Sequence, residues 1–161
     1  MSDEKLTIEH DVKNSGLSEN LQKHILNFVN FLKDTEFSIE SEDDGNGWQI
    51  INMNECVGHM NFSNVGIWID TCDFGNSSSA DDVLKEFTWT HVRVCEYFSS
   101  GGKQCGCSKQ PGFNKTIFGK KYNNLCFAHL EFINPDAETL ENIKKLMLLI
   151  KQNKSNTKFL K

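Results

Sequence analysis

Residues 48–71 read WQIINMNECVGHMNFSNVGIWIDT. Three short segments alternate apolar with polar side chains: Trp48–Asn52, Cys56–Phe62 and Val65–Thr71. Alternation with a period of two is the signature of strands that bury one face. The connections Met53–Glu55 and Ser63-Asn64 are short enough for hairpins, so the stretch predicts an antiparallel meander. On a regular strand, Cys56, Gly58, Met60 and Phe62 share one face, with Val57, His59 and Asn61 on the other. By the same rule Val65, Ile67 and Ile69 face one way and Trp68 and Asp70 the other.

Upstream, Leu17, Leu21, Ile25, Phe28 and Leu32 recur at helical spacing behind Ser15 or Ser18, either of which can cap the helix. Residues 1–14 are polar and read as loose. Phe37-Ser38-Ile39 is a short alternating run, followed by the turn residues Asp44-Gly45-Asn46-Gly47. Downstream, Ser78 or Ser79 is expected to cap a helix with the stripe Leu84, Phe87, His91, Val94, Cys95 and Phe98, ending at Gly101-Gly102. Residues 103–124 show no sustained periodicity. Leu125–Ile133 alternates as a strand, and Asn134-Pro135 opens a last helix with Leu140, Ile143, Met147 and Ile150 inward. The element order predicts an α+β fold: an antiparallel meander of four to five strands with three helices on one face. One domain is expected over 15–152, flanked by flexible ends at 1–14 and 153–161.

At 161 residues the chain is long enough for one sizeable core, and twelve Phe and three Trp supply its bulk. No apolar run is long enough to span a bilayer, and the polar start MSDEKLTIEHD is unlike a signal peptide, so the expected location is the cytoplasm. Charge is uneven: residues 1–96 carry −12, residues 97–130 carry +5 and residues 131–161 carry +2. An acidic body disfavours nonspecific nucleic-acid binding.

Four of the six cysteines, Cys95, Cys105, Cys107 and Cys126, fall between His91 and Cys126. In a reducing compartment such clustering points to metal, to redox chemistry or to plain buried thiols. These four form a candidate structural zinc set, with His91 as a substitute ligand one helical turn from Cys95. Lys103, Lys109 and Lys115 would offset the charge of a four-thiolate zinc, and Lys115 and Lys120 are candidate anion contacts. The same lysines would lower a thiol pKa, which supports a thiol-based redox protein or enzyme as the alternative. No pair has the C-x2-C spacing that marks zinc or redox sites most strongly. Cys–His catalysis finds no local signature among the five histidines, and His129 reads as a polar strand position. A second candidate is an aromatic pocket of Trp48, His59, Trp68, Asp70 and Trp89, against which stands simple core packing. Gly119-Lys120-Lys121 lacks the phosphate-loop pattern, which argues against nucleotide hydrolysis.

The run KTIFGKKYNNLC…LEFINPDAETLENIKKL resembles the C-terminal half of small uncharacterised bacterial α+β proteins with a cysteine cluster, a short basic loop and a strand-NPD-helix ending. The order of elements is also similar to the YdhG-like domains, which include proposed frataxin-like iron chaperones. That resemblance implies iron held by hard oxygen ligands, for which Glu36, Glu40 and the SEDD run at 41–44 are the available groups. The reading that unites these features is a non-enzymatic cytoplasmic domain binding a small molecule or a protein partner, its long loop ordered either by zinc or by packing of the aromatic side chains around Phe113 and Phe118.

Overall fold

The computed structural model describes residues 7–63, 65–75, 79–95 and 112–158. Among them the helices are α1 (Ile8–Asn14), α2 (Glu19–Asp34), α3 (Asp82–Thr90) and α4 (Ala137–Lys158). The strands are β1 (Ser38–Ser41), β2 (Trp48–Asn52), β3 (Glu55–Asn61), β4 (Gly66–Ile69), β5 (Val92–Val94), β6 (Phe113–Ile117) and β7 (Lys120–Ile133). The fold is α+β, with a seven-stranded antiparallel sheet in the order β1-β2-β3-β4-β7-β5 and β6 paired to β7. The meander read from residues 48–71 is present. The additions to the expected set are α1, β5 and β6.

The chain divides into two compact units, Met1–Ile67 with Ile133–Lys144 and Trp68–Phe132 with Lys145–Lys161. In the first, Ser18 caps α2 by accepting from the Leu21 N–H at 3.3 Å. The helix ends with Phe37 N–H donating to Leu32 O and Glu36 N–H to Lys33 O, which places Glu36 at φ 64. That is a Schellman ending with glutamate in the left-handed position that glycine usually fills. Ile25, Phe28 and Leu32 are fully buried, worth about 1.5–3 kcal/mol each when removed from water. Residues 8–14, expected to be loose, form a helix because Thr7 caps it and Ile8 and Val12 are buried. Asp11 on that helix accepts the Trp48 indole N–H at 2.8 Å.

Met53 and Asn54, at φ 52 and 65, close the β2–β3 hairpin with positive φ at both central positions. This handedness matches the twist of the strands. The register then slips: Ile51 pairs with Cys56 but Ile50 pairs with Gly58, so β3 carries one extra residue, Val57. A bulge of this kind resets the alternation of side chains.

In the second unit, α3 is capped by Asp81, which accepts from the Leu84 N–H at 2.7 Å, rather than by Ser78 or Ser79. It ends at Thr90 instead of running to the glycine pair. The β-branched Val92 and Val94 leave the helix and pair with Leu130 and Leu125 of β7, and Arg93 meets Glu131 at 2.9 Å. The stretch read as aperiodic is, from Phe113 onward, a hairpin turning at Phe118 and Gly119, both with positive φ. Leu125, Leu130 and Phe132 are buried, and Phe132 stacks on Phe87 at 5.6 Å. Within the first unit, Asp136, not Asn134, caps α4, accepting from the Thr139 N–H at 2.8 Å. That helix continues to Lys158, past the expected fraying point at Lys151.

Candidate metal centre

The bulge in β3 determines which side chains meet. Three residues apart on a regular strand, Cys56 and His59 would face opposite ways. With Val57 inserted, Val57, Gly58 and Met60 are buried while Cys56 is exposed and His59 half-exposed. The expected face of Cys56 with Gly58 and Met60 is therefore corrected: the thiol sits with the imidazole. Cys56 Sγ lies 3.6 Å from His59 Nε2. The sulfur also lies 3.4 Å from the Gly58 carbonyl, to which its S–H can donate.

Glu42 completes the arrangement from the loop between β1 and β2. Its backbone N–H donates to Gly47 O, and the Gly45 N–H donates back to Glu42 O, each at 2.9 Å. The loop so closed brings Glu42 Oε1 to 2.7 Å from His59 Nδ1. A carboxylate accepts only, so Nδ1 carries a proton, and in the neutral ring Nε2 then presents its lone pair to the sulfur. Gly47 makes room for this. A Cβ there would stand 3.1 Å from Glu42 Cδ and Oε2 and 3.1 Å from the Met60 carbonyl. Gln49 lies directly across from His59 in the strand register.

Two chemistries need a sulfur and an imidazole nitrogen so placed. One is a thiol nucleophile with a base oriented by a carboxylate. The other is a pair of metal ligands whose imidazole is held from behind, as ligating histidines usually are. A tetrahedral zinc about 2.3 Å from sulfur and about 2.0–2.1 Å from nitrogen holds them about 3.6 Å apart, the separation found here. The charge environment separates the two. No Lys or Arg occurs from Asp34 to Leu84, while Glu40, Glu42, Asp43, Asp44 and Glu55 do. Reactive thiolates sit in electropositive surroundings, whereas this field favours a cation.

The other candidate residues are distributed as follows. Cys105, Cys107, Lys103 and Lys109 lie outside the described residues. Cys95 is buried, its N–H donating to Asn124 O at 2.7 Å, and Cys126 lies half-buried on β7. His91 closes α3; its Nδ1 lies 2.7 Å from Phe87 O and its ring packs against Phe87 and Phe132. Of the aromatic set, Trp48 is buried opposite Met60 and does not share the face of His59. Trp89 donates its indole N–H to Ile117 O at 2.8 Å, and Trp68 and Asp70 are half-buried in the second unit. Lys120 Nζ lies over the rings of Trp89 at 5.4 Å and Tyr122 at 5.6 Å, and Lys115 faces Tyr122 across the hairpin.

His129 lies on β7, as read from the sequence, and is buried there. It is 5% exposed, its Nδ1 has no hydrogen-bond partner among the described residues, and burial, with Lys115 nearby, lowers its pKa. Burial likewise pushes the Cys72 thiol up to about 12, with Asp73 adding to the rise. Comparison with family models, curated proteins and solved structures returned no match. Among the described residues no helix is long and apolar enough to cross a membrane.

Proposed function

We propose that this protein binds a zinc-class metal ion, with Cys56 and His59 as ligands and Glu42 holding the imidazole in its ligating tautomer. What carries the reading is the 3.6 Å separation of Sγ and Nε2 with Nδ1 engaged by Glu42 at 2.7 Å. Thiolate and imidazole favour zinc over the hard cations that carboxylates prefer, so this reading differs from the frataxin-like one. The remaining coordination positions are filled by groups outside this pair, water among them. Elemental analysis and competitive zinc titration of the full chain, purified without a histidine tag, provide the test. The Cys56→Ala/His59→Ala double variant is expected to bind about one equivalent less than the parent chain. Equal stoichiometry and affinity in the two proteins would remove the proposal, and zinc held elsewhere, by the Cys95 to Cys126 set, cancels in the difference.

A second reading, a thiol-based enzyme, is favoured by the same relay from Glu42 through His59 to Cys56. It predicts that Cys56 is alkylated by iodoacetamide far faster in the zinc-free protein than the other thiols, and that His59→Ala slows it. A Cys56 rate unaffected by His59→Ala would end that reading.

A further inference from the structure

The Cys56–His59 pair sits on the open side of β3, and its sulfur belongs to an exposed residue. Structural zinc sites are closed, with four protein ligands enclosing the ion. At an exposed thiolate the ion can be approached by an entering ligand before any bond to the protein breaks. The exposed carboxylate-bearing residues that β1–β3 and their turns contribute give this rim a negative sign. Glu40, Asp43, Asp44 and Glu55 are all exposed, and no Lys or Arg occurs in the sequence from Asp34 to Leu84. A one-signed rim raises the encounter rate of oppositely charged partners and slows those of like charge.

From this exposure and charge we infer that the site hands its ion by direct ligand exchange to a dithiol-bearing protein partner with a basic surface. The inference rests on the metal reading above and adds a direction of traffic to it. In the exchange, each thiol of the acceptor loses its proton as its sulfur bonds the ion. The Cys56 S–metal and His59 N–metal bonds break; one proton returns to Sγ, the other passes to solvent, and the imidazole leaves as the neutral ring with its lone pair on Nε2. No electron moves, so no oxidant or reductant is required. Glu42 stays bonded to His59 throughout and keeps the empty pair in the geometry that accepts the next ion.

The experiment uses the full chain loaded with zinc and two synthetic Cys-x-x-Cys peptides, one flanked by lysines and one by glutamates. Zinc transfer is followed by stopped-flow mixing at several peptide concentrations. The transfer rate is expected to rise in proportion to peptide concentration, and the basic peptide to be faster by roughly tenfold or more at low salt. That preference should shrink at high salt, since exposed charges are then screened. Neutralising the rim as Glu40→Gln/Asp43→Asn/Asp44→Asn/Glu55→Gln should erase the preference while the zinc stoichiometry stays the same. A release rate independent of peptide concentration would overturn the inference, because the ion would then leave before the acceptor arrives. Equal rates for the two peptides would overturn the basic partner. A chain that takes up no zinc at this pair defeats the metal reading itself and is recognised at the loading step, before any transfer is measured.

Discussion

Each unit holds a cysteine, a histidine and a carboxylate, and their environments lead to opposite chemistry. In the first, Cys56, His59 and Glu42 are linked at hydrogen-bond distances on the open side of a bulged strand. In the second, Cys72 and His129 are buried, with Lys115, Asp70 and Asp73 close enough to act on the His129 charge. Burial raises the thiol to about 12 and depresses the imidazole, so both are neutral at physiological pH. The residue types are the same, but access to solvent and the sign of the local field fit one set to the proposed ligand pair and the other to the core. The contrast shows why counting cysteines and histidines along a sequence locates sites poorly.

The largest expected effect breaks the comparison directly. Cys56→Ala should weaken zinc binding by more than about 100-fold, since it removes a ligand and not merely its support. Cys72→Ala should leave zinc binding unchanged while lowering stability by about 1–2 kcal/mol through a small buried cavity. If the two variants bound zinc alike, the distinction between the units would be lost. Competitive titration and denaturant unfolding report the two quantities.

A smaller effect sharpens the role of the loop. Gly47→Ala forces a methyl group toward the Glu42 carboxylate and the Met60 carbonyl. With Glu42 displaced, His59 loses its orientation, and zinc affinity should fall by about 10-fold. An unchanged affinity would show that the carboxylate is dispensable.

His129 sharpens the other side. Its pKa is lowered in the folded state, so the unfolded chain binds the proton more readily. The stability that neutral His129 supplies is therefore complete above the unfolded value of about 6.5 and is lost as pH falls through it toward the folded value. Chemical denaturation between pH 7.5 and pH 5 should show this loss in the parent chain, and it should be reduced in His129→Gln. A slope identical in both proteins would place the acid sensitivity elsewhere. The smallest effect concerns Glu36, at φ 64 in the left-handed cap of α2. Glu36→Gly should stabilise the first unit by about 1 kcal/mol, read as a shift in denaturation midpoint.

The alternation in 48–71 made the meander legible, and the stripe behind Ser18 made α2 legible, because period two and period 3.6 are set by local geometry. The centre was not legible, for a reason tied to one residue. Cys56 and His59 are three apart, which on a regular strand means opposite faces, and no sequence rule announces the bulge at Val57 that brings them together. Glu42 reaches His59 from 17 positions upstream by the return of a loop, and its place in an acidic run suggested only hard-cation ligands. The end of α3 was misplaced because His91, Val94 and Cys95 continue the helical stripe in sequence. Strand pairing of Val92 and Val94 with β7 outweighs that local preference. The β6–β7 hairpin escaped notice because β6 has only Ile117 buried, with Phe113, Asn114 and Thr116 exposed, and its turn opens on Phe118 rather than on asparagine or glycine.

The bulge also sets how such a centre can arise and vanish within a lineage. Inserting one residue into β2 opposite Val57 would leave Cys56, His59 and Glu42 all encoded, yet close the bulge and return β3 to plain alternation, with thiol and imidazole three apart and turned to opposite sides. Acquisition and loss of the centre are thus matters of insertion and deletion, and substitution at the ligands is not required. An inventory of ligand residues across related chains would overlook the event, while the length of the segment between Trp48 and the Met53-Asn54 turn would record it.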